Sequence, residues 1–166
     1  MTCSETAHRI FWFSVLLAFL LAPADIIAQD SSGMVTASRG EVSVNSNGET
    51  RPMKRGDFIY EHDEIITSER SFAVLQFEDG AKVSLRPDST LIIEQYHYAS
   101  GGEDTATLYL VSGGVRMVSG AIASSQPGNY RIRTPLALMT IEGSEGSLTL
   151  CNDKICEQEG LVEITE

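Results

Sequence analysis

The sequence predicts an all-β protein with a single domain, and three observations support this fold class. Short runs rich in β-branched and aromatic residues are separated by turn dipeptides such as Asn47-Gly48 and Asp79-Gly80. The turn signals recur roughly every 8 to 12 residues, as in sandwiches and solenoids. After residue 28, no segment repeats apolar residues at helical spacing over three turns. We therefore expect a twisted antiparallel β-sandwich or a short β-solenoid.

The N-terminal residues have the pattern of a secretory signal. Ile10 to Ala22 form an apolar run of 13 residues that is broken only by Ser14. This run is shorter than the span of about 20 residues that a transmembrane helix needs. Small residues suited to cleavage follow at Ala24 and Ala28. We predict a cleaved signal peptide over residues 1–28, with an uncleaved N-terminal anchor as the alternative.

The remaining chain divides into a short polar leader, residues 29–40, and an all-β domain, residues 41–166. We expect about ten to twelve short strands in that domain, cut by the turns described above and by Pro87 and Pro127. Residues 99–105 form a Gly-containing acidic loop between two of the predicted strands. The predicted strands include 41–45, 73–77, 81–85, 90–98, 107–111, 115–118, 130–134, 137–141, 147–151 and 161–164.

Composition and charge restrict the classes of partner. The chain carries 12 basic and 23 acidic residues, a formal net charge of -11. An acidic surface repels phosphate backbones and anionic lipid, so nucleic acid is not an expected partner. No segment after the signal is predicted to span a membrane. Because the predicted signal peptide directs export, the chain is expected in the periplasm, with the cell surface or secretion as alternatives.

Two cysteines remain after the predicted signal, because Cys3 precedes the apolar run. Cys151 and Cys156 are separated by four residues, a spacing that suits a hairpin whose strands place the two Cβ atoms near disulfide distance. We predict a structural disulfide, since oxidising compartments form such bonds. Free thiols and redox chemistry are the alternatives, although a redox pair normally has the Cys-x-x-Cys spacing.

An ordered set of short motifs resembles the FecR-like periplasmic domain family. The resemblance extends over roughly residues 34–150 and depends on the order of the motifs, since none of them is specific alone. The matching residues are Gly56-Asp57, Asp63-Glu64-Ile65, Thr67, Ser71, Asp79-Gly80, Leu85-Arg86-Pro87-Asp88-Ser89, Leu110, Gly113-Gly114-Val115-Arg116 and Tyr130-Arg131-Ile132-Arg133-Thr134-Pro135.

The chain departs from the family pattern at two positions. The family's Ile-Arg-Gly-Thr is here Ile141-Glu142-Gly143-Ser144, so an acid replaces an arginine, and His62 stands where the second step usually has Gly. The resemblance implies a free-standing all-β module of the envelope with a binding or scaffolding role. Its partner would be an envelope protein or a polysaccharide.

Residue patterns for catalysis or cofactor binding are weak. His62 and His97 are the histidines outside the signal, and their spacing does not fit a multi-histidine metal site. No Gly-x-Ser-x-Gly element is present. Asp57, Glu61 and Asp63 belong to an acidic cluster that lacks calcium-loop spacing, so we predict a solvated turn. We expect a non-catalytic protein without a cofactor or metal; a metal-dependent envelope enzyme is the remote alternative.

Tyrosines near strand ends, beside the acidic loop, are the candidate binding residues. Tyrosine packs against protein or carbohydrate partners while tolerating water; packing within the sheets is the alternative reading. A subunit of a surface or matrix assembly, built by strand-edge pairing into homo-oligomers, is the alternative function. The candidate surface comprises Tyr96, His97, Tyr98, Glu103, Asp104, Tyr109 and Tyr130.

Overall fold

The computed structural model describes residues 30–99, 103–141, 143–152 and 154–164. Within these ranges the chain forms fifteen strands, one short α-helix and one 3₁₀ turn. The strands make two sheets whose inward side chains share a single core, so the fold is an all-β sandwich, and the solenoid alternative is not adopted. The predicted signal peptide and the Glu142 departure lie outside the described residues.

The first sheet has seven strands, and every neighbouring pair in it is antiparallel. From one edge to the other the strands are β14 (Lys154–Glu159), β13 (Glu145–Cys151), β10 (Gly114–Val118), β7 (Lys82–Leu85), β6 (Phe72–Phe77), β1 (Gly33–Arg39) and β4 (Phe58–Ile59).

The second sheet has eight strands and contains one parallel pair. In spatial order they are β15 (Leu161–Glu163), β12 (Leu138–Ile141), β11 (Tyr130–Arg133), β9 (Thr105–Ser112), β8 (Ser89–His97), β5 (Glu64–Thr67), β2 (Val42–Ser46) and β3 (Glu49–Pro52). Strands β9 and β11 run parallel, which departs from the antiparallel expectation. The chain between them passes through β10 of the other sheet, then helix α1 (Ala121–Ser125) and the 3₁₀ turn Pro127–Asn129.

The predicted polar leader is wrong for residues 33–39, because they form β1 inside the first sheet. This strand pairs with both β4 and β6, and Val35 is fully buried. Its register shifts between Val35 and Ala37, so the strand does not alternate regularly between apolar and polar residues. The polar appearance of this segment therefore reflects a bulged strand with one deeply buried side chain.

The core lies between the two sheets and consists of aliphatic side chains from alternate strand positions. Leu75, Val83 and Met117 enter it from the first sheet, and Ile65 and Leu108 enter it from the second; all are essentially inaccessible to solvent. Burial of such side chains is the main force that holds the two sheets together. None of the described helical segments is long and apolar enough to cross a membrane.

Candidate binding surface

A bulge in β8 decides which of its side chains reach the outer face of the second sheet. Leu91 and Ile93 point into the core, and the register against β9 shifts between Ile93 and Gln95. The extra residue, Glu94, reverses the alternation, so Tyr96 points inward while Gln95 and His97 are exposed. A regular strand would have placed Tyr96 outside.

Tyr96 belongs to a buried polar cluster instead of a binding surface. It is 9% exposed, and its hydroxyl donates to Oδ1 of Asp79 at 3.1 Å while accepting from the Asp79 backbone N–H at 2.9 Å. Its ring packs against Phe77. Burial is the main reason that the pKa of Tyr96 is raised above its ordinary value.

Tyr130 is also buried, at 1% exposed, because it shares the inward face of β11 with Ile132. Among the described residues its hydroxyl has no hydrogen-bond partner. Burial, and then the charge of Asp79, raise the pKa of Tyr130. The prediction that Tyr96 and Tyr130 are exposed contact residues is therefore wrong, because both side chains lie in the core.

The other predicted residues at this end of the sandwich do lie around His97. Two shallow clefts flank its side chain. One, of about 460 Å³, is lined by Glu61, Glu78 and Tyr98 among others. The second, of about 550 Å³, includes Gln95, Glu103 and Thr105. The structure thus brings His97, Tyr98 and Glu103 to one surface.

Asp104 has a structural role at the same end. Its carboxylate accepts from the Ala99 backbone N–H at 2.8 Å, which closes the β8–β9 connection. Its carbonyl accepts from the side-chain amide of Asn129 at 3.0 Å, and Thr105 donates its hydroxyl to the Asn129 carbonyl. These bonds hold the 3₁₀ turn against the start of β9. Residues 100–102 of the predicted loop lie outside the described residues.

Tyr109 lies on the outer face of the second sheet, farther from the β8–β9 connection. The guanidinium of Arg133, on the adjacent parallel strand, is 3.9 Å from the centre of its ring. Glu94 fixes Arg133 through two hydrogen bonds, one of them at 2.8 Å from Nε. The hydrogen bond to Glu94 is also the main cause of the raised pKa of Arg133.

Register across β8, β9, β11 and β12 joins these side chains into one surface. Gln95 is opposite Thr107, Thr107 is beside Arg131, and Arg131 is opposite Thr140. We call this surface the outer sheet face; its residues are Gln95, His97, Thr105, Thr107, Tyr109, Arg131, Arg133 and Thr140. The sequence reasoning missed Gln95, the three threonines and both arginines. Their alternation along β9 and β11 is visible in the sequence, but the parallel pairing that aligns them is not.

The predicted disulfide is present at the opposite end of the sandwich. Cys151, the last residue of β13, is bonded to Cys156 in β14, with their Cα atoms 5.8 Å apart. A cleft of about 610 Å³ beside Cys151 is lined in part by Arg86 and Gly113. Arg86 donates to Glu157 at 2.7 Å, which lowers the pKa of that carboxylate. No group of three His, Cys, Asp or Glu side chains in the described ranges is arranged to hold a metal ion.

Comparison with known families places this chain beside one family described below. A family model described as FecR protein matches residues 63–159, a range that runs from β5 through β14 and includes every residue of the outer sheet face. No curated protein and no solved structure matches the chain. The matched range contains every motif from which the resemblance was drawn except Gly56-Asp57, which lies before it.

Proposed function

Since this chain belongs to the FecR protein family, we propose that it is a non-catalytic binding module of the bacterial envelope, located in the periplasm. Family membership suggests an envelope module of a signalling or regulatory kind. The finer proposal is that the outer sheet face contacts a protein or a polysaccharide. The proposed module is non-catalytic because the sequence offers no nucleophile–base pattern.

The observation that carries the proposal is the composition of the outer sheet face. Thr107, Arg131 and Thr140 form a row of hydrogen-bonding side chains across three strands, and Gln95 extends that row to a fourth. None of these four residues belongs to the core. Side chains of this kind form hydrogen bonds with peptide groups or sugar hydroxyls. The Thr140 hydroxyl already donates to backbone carbonyls of Pro127 and Tyr130, so it would contribute as an acceptor. The row therefore suits an extended ligand that crosses several strands.

Arg131 is the residue of this face that we expect to contribute most to binding. It is exposed, and Nε donates to the Gly128 carbonyl at 2.9 Å, the one hydrogen bond of its side chain within the described part of the protein. About four of the five guanidinium N–H groups are left for a ligand. The bond to Gly128 holds the side chain in place, which reduces the entropy lost on binding.

Site-specific crosslinking in the native envelope tests the proposal. A photoreactive residue is placed at Thr107 on the outer sheet face, and in a second strain at Ser84, which lies on the outside of the other sheet. We expect light-dependent adducts from Thr107 and not from Ser84. Protease digestion distinguishes a protein adduct from a polysaccharide adduct.

Rebinding of the captured species measures the role of Arg131. We expect Arg131→Ala to weaken binding by about tenfold, since hydrogen bonds from charged groups contribute about 1.5–3 kcal/mol. Gln76→Ala, on the outside of the first sheet, is the matched control and should bind as the unchanged protein does. Adducts from Ser84 alone, or equal binding by all three proteins, would rule out the outer sheet face.

A further inference from the structure

Strand β14 is the longest of the four edge strands in the two sheets. It borders the seven-stranded sheet and extends over six residues, against four in β3, two in β4 and three in β15. Strand β3 also ends in Pro52, which lacks the backbone N–H that a further strand would need. An open edge presents unpaired backbone N–H and C=O groups that can pair with another strand.

A bulge gives β14 an unusual distribution of side chains. Lys154 is opposite Cys151 and Glu159 is opposite Ser147, while the register shifts between these two pairs at Cys156. Residues five apart in a regular strand point to opposite faces. The extra residue at Cys156 places Lys154 and Glu159 on the same face, the one that lies outside the sandwich.

These two end residues carry opposite charges without partners of their own. Both are exposed, and neither takes part in an ion pair with another described residue. Glu157, between them, is already paired with Arg86. The edge thus presents a positive group at one end and a negative group at the other, with the central acid neutralised by its own chain.

We propose that β14 pairs in antiparallel fashion with β14 of a second copy of this chain. The two-fold axis passes between Cys156 and Glu157, which sets Lys154 opposite Glu159 of the partner subunit and Ile155 opposite Gln158 of the partner subunit. A two-fold interface repeats each contact, so the dimer has two cross-strand ion pairs. Two seven-stranded sheets become one continuous sheet of fourteen strands.

The disulfide supports this pairing by holding the edge in position. It joins Cys156, the bulged residue of β14, to the end of β13. The edge strand is therefore tied to its neighbour at the centre of the proposed interface. The proposal is independent of the ligand surface above, because β14 borders the sheet that does not carry the outer sheet face.

Charge reversal tests the proposal on the full-length chain, expressed with its own N-terminal residues and processed by the cell. Sedimentation velocity at physiological salt, over concentrations up to the millimolar range, should show a monomer–dimer equilibrium. K154E and E159K each place like charges opposite one another at both cross-strand contacts of the dimer. We expect each variant to dimerise about tenfold more weakly, because like charges directly opposite destabilise a strand pair.

An equimolar mixture of K154E and E159K provides the decisive comparison. In that mixture both contacts again join opposite charges, so heterodimers should form about as strongly as the unchanged dimer. The charge-swapped double variant K154E/E159K should also dimerise, and unfolding curves should show that every variant is folded. A strictly monomeric unchanged protein, single variants that dimerise normally, or a mixture no stronger than its components would each overturn the proposal.

Discussion

At the scale of single residues, the hydroxyls of two buried tyrosines have opposite effects on the free energy of unfolding. The Tyr96 hydroxyl exchanges two hydrogen bonds with Asp79, so its burial is compensated. The Tyr130 hydroxyl is buried with no hydrogen-bond partner among the described residues. A buried polar group without a partner costs about 1–3 kcal/mol, whereas a satisfied one is slightly favourable.

We therefore predict that Tyr130→Phe leaves the free energy of unfolding unchanged or raises it by about 1 kcal/mol. Tyr96→Phe, the matched variant, should lower it by about 1–2 kcal/mol, because Asp79 loses a bonded partner. Urea unfolding of the two variants and the unchanged protein measures both effects. A loss above 1 kcal/mol for Tyr130→Phe would mean that the hydroxyl has a partner, and the prediction would fail.

Residue patterns predicted part of the candidate site, but the bulge in β8 made the orientation of Tyr96 unpredictable. Alternation places Leu91 and Ile93 in the core, and continued regularly it would expose Tyr96. The bulge at Glu94 reverses the pattern, and nothing in the single sequence marks its position. The burial of Tyr130 could have been predicted from the sequence. Tyr130 and the apolar Ile132 are two residues apart on β11, so their side chains point to the same face.

At the scale of elements, Gly113 marks the point where the chain leaves one sheet for the other. Strand β9 ends at Ser112 in the second sheet and β10 begins at Gly114 in the first. Gly113 has a φ of 79°, and an added Cβ would lie 2.3 Å from the Ser89 hydroxyl and 2.5 Å from the Asp88 carbonyl oxygen. Both the backbone angle and the available space therefore require glycine here.

We predict that Gly113→Ala lowers the free energy of unfolding by about 3 kcal/mol or more, combining backbone strain with steric overlap. Gly48→Ala is the matched control, since Gly48 also has a positive φ, of 86°, but no atom within 4 Å of an added Cβ. It should cost about 1–2 kcal/mol. Thermal unfolding of the two variants gives the comparison, and equal losses would contradict the steric explanation.

Elements with strong turn signals were predictable, and those that depend on distant partners were not. Asn47-Gly48 joins β2 to β3 and Asp79-Gly80 joins β6 to β7, as expected. Strand β1 was missed because its pairing with β6 compensates for a weak local pattern. Helix α1 has only five residues, too few to show a helical period.

At the scale of the whole molecule, the sequence predicted an all-β fold, either a sandwich or a short solenoid, but not the connections between its strands. The parallel pairing of β9 with β11 requires an excursion through the opposite sheet, and no residue type signals such a path. One consequence of the packed core affects the stability of the entire fold. It holds Tyr96 and Tyr130 in the neutral form, with the pKa of each raised above its ordinary value.

We predict that stability falls at alkaline pH because of these two groups. Unfolded tyrosine releases its proton near pH 10, whereas the folded protein retains both protons to higher pH, so the stabilisation is complete below about pH 10 and decreases above it. The slope from each group grows as unfolded tyrosine ionises and approaches about 1.4 kcal/mol per pH unit toward pH 11. Unfolding measured from pH 8 to 11 should show a smaller slope in Tyr96→Phe/Tyr130→Phe; an unchanged slope would refute the assignment.

The contact between Asp79 and α1 also has a consequence for the order of folding. Asp79 accepts from the backbone N–H of Ala121 through its carbonyl and from that of Ile122 through Oδ2. A helix of five residues does not nucleate alone, so it must wait for the β6–β7 hairpin, whose turn contains Asp79. Ala123→Gly, at a buried helix position, should therefore speed unfolding and leave the folding rate nearly unchanged in stopped-flow measurements. The helix would then be one of the last parts of the sandwich to form and one of the first to detach.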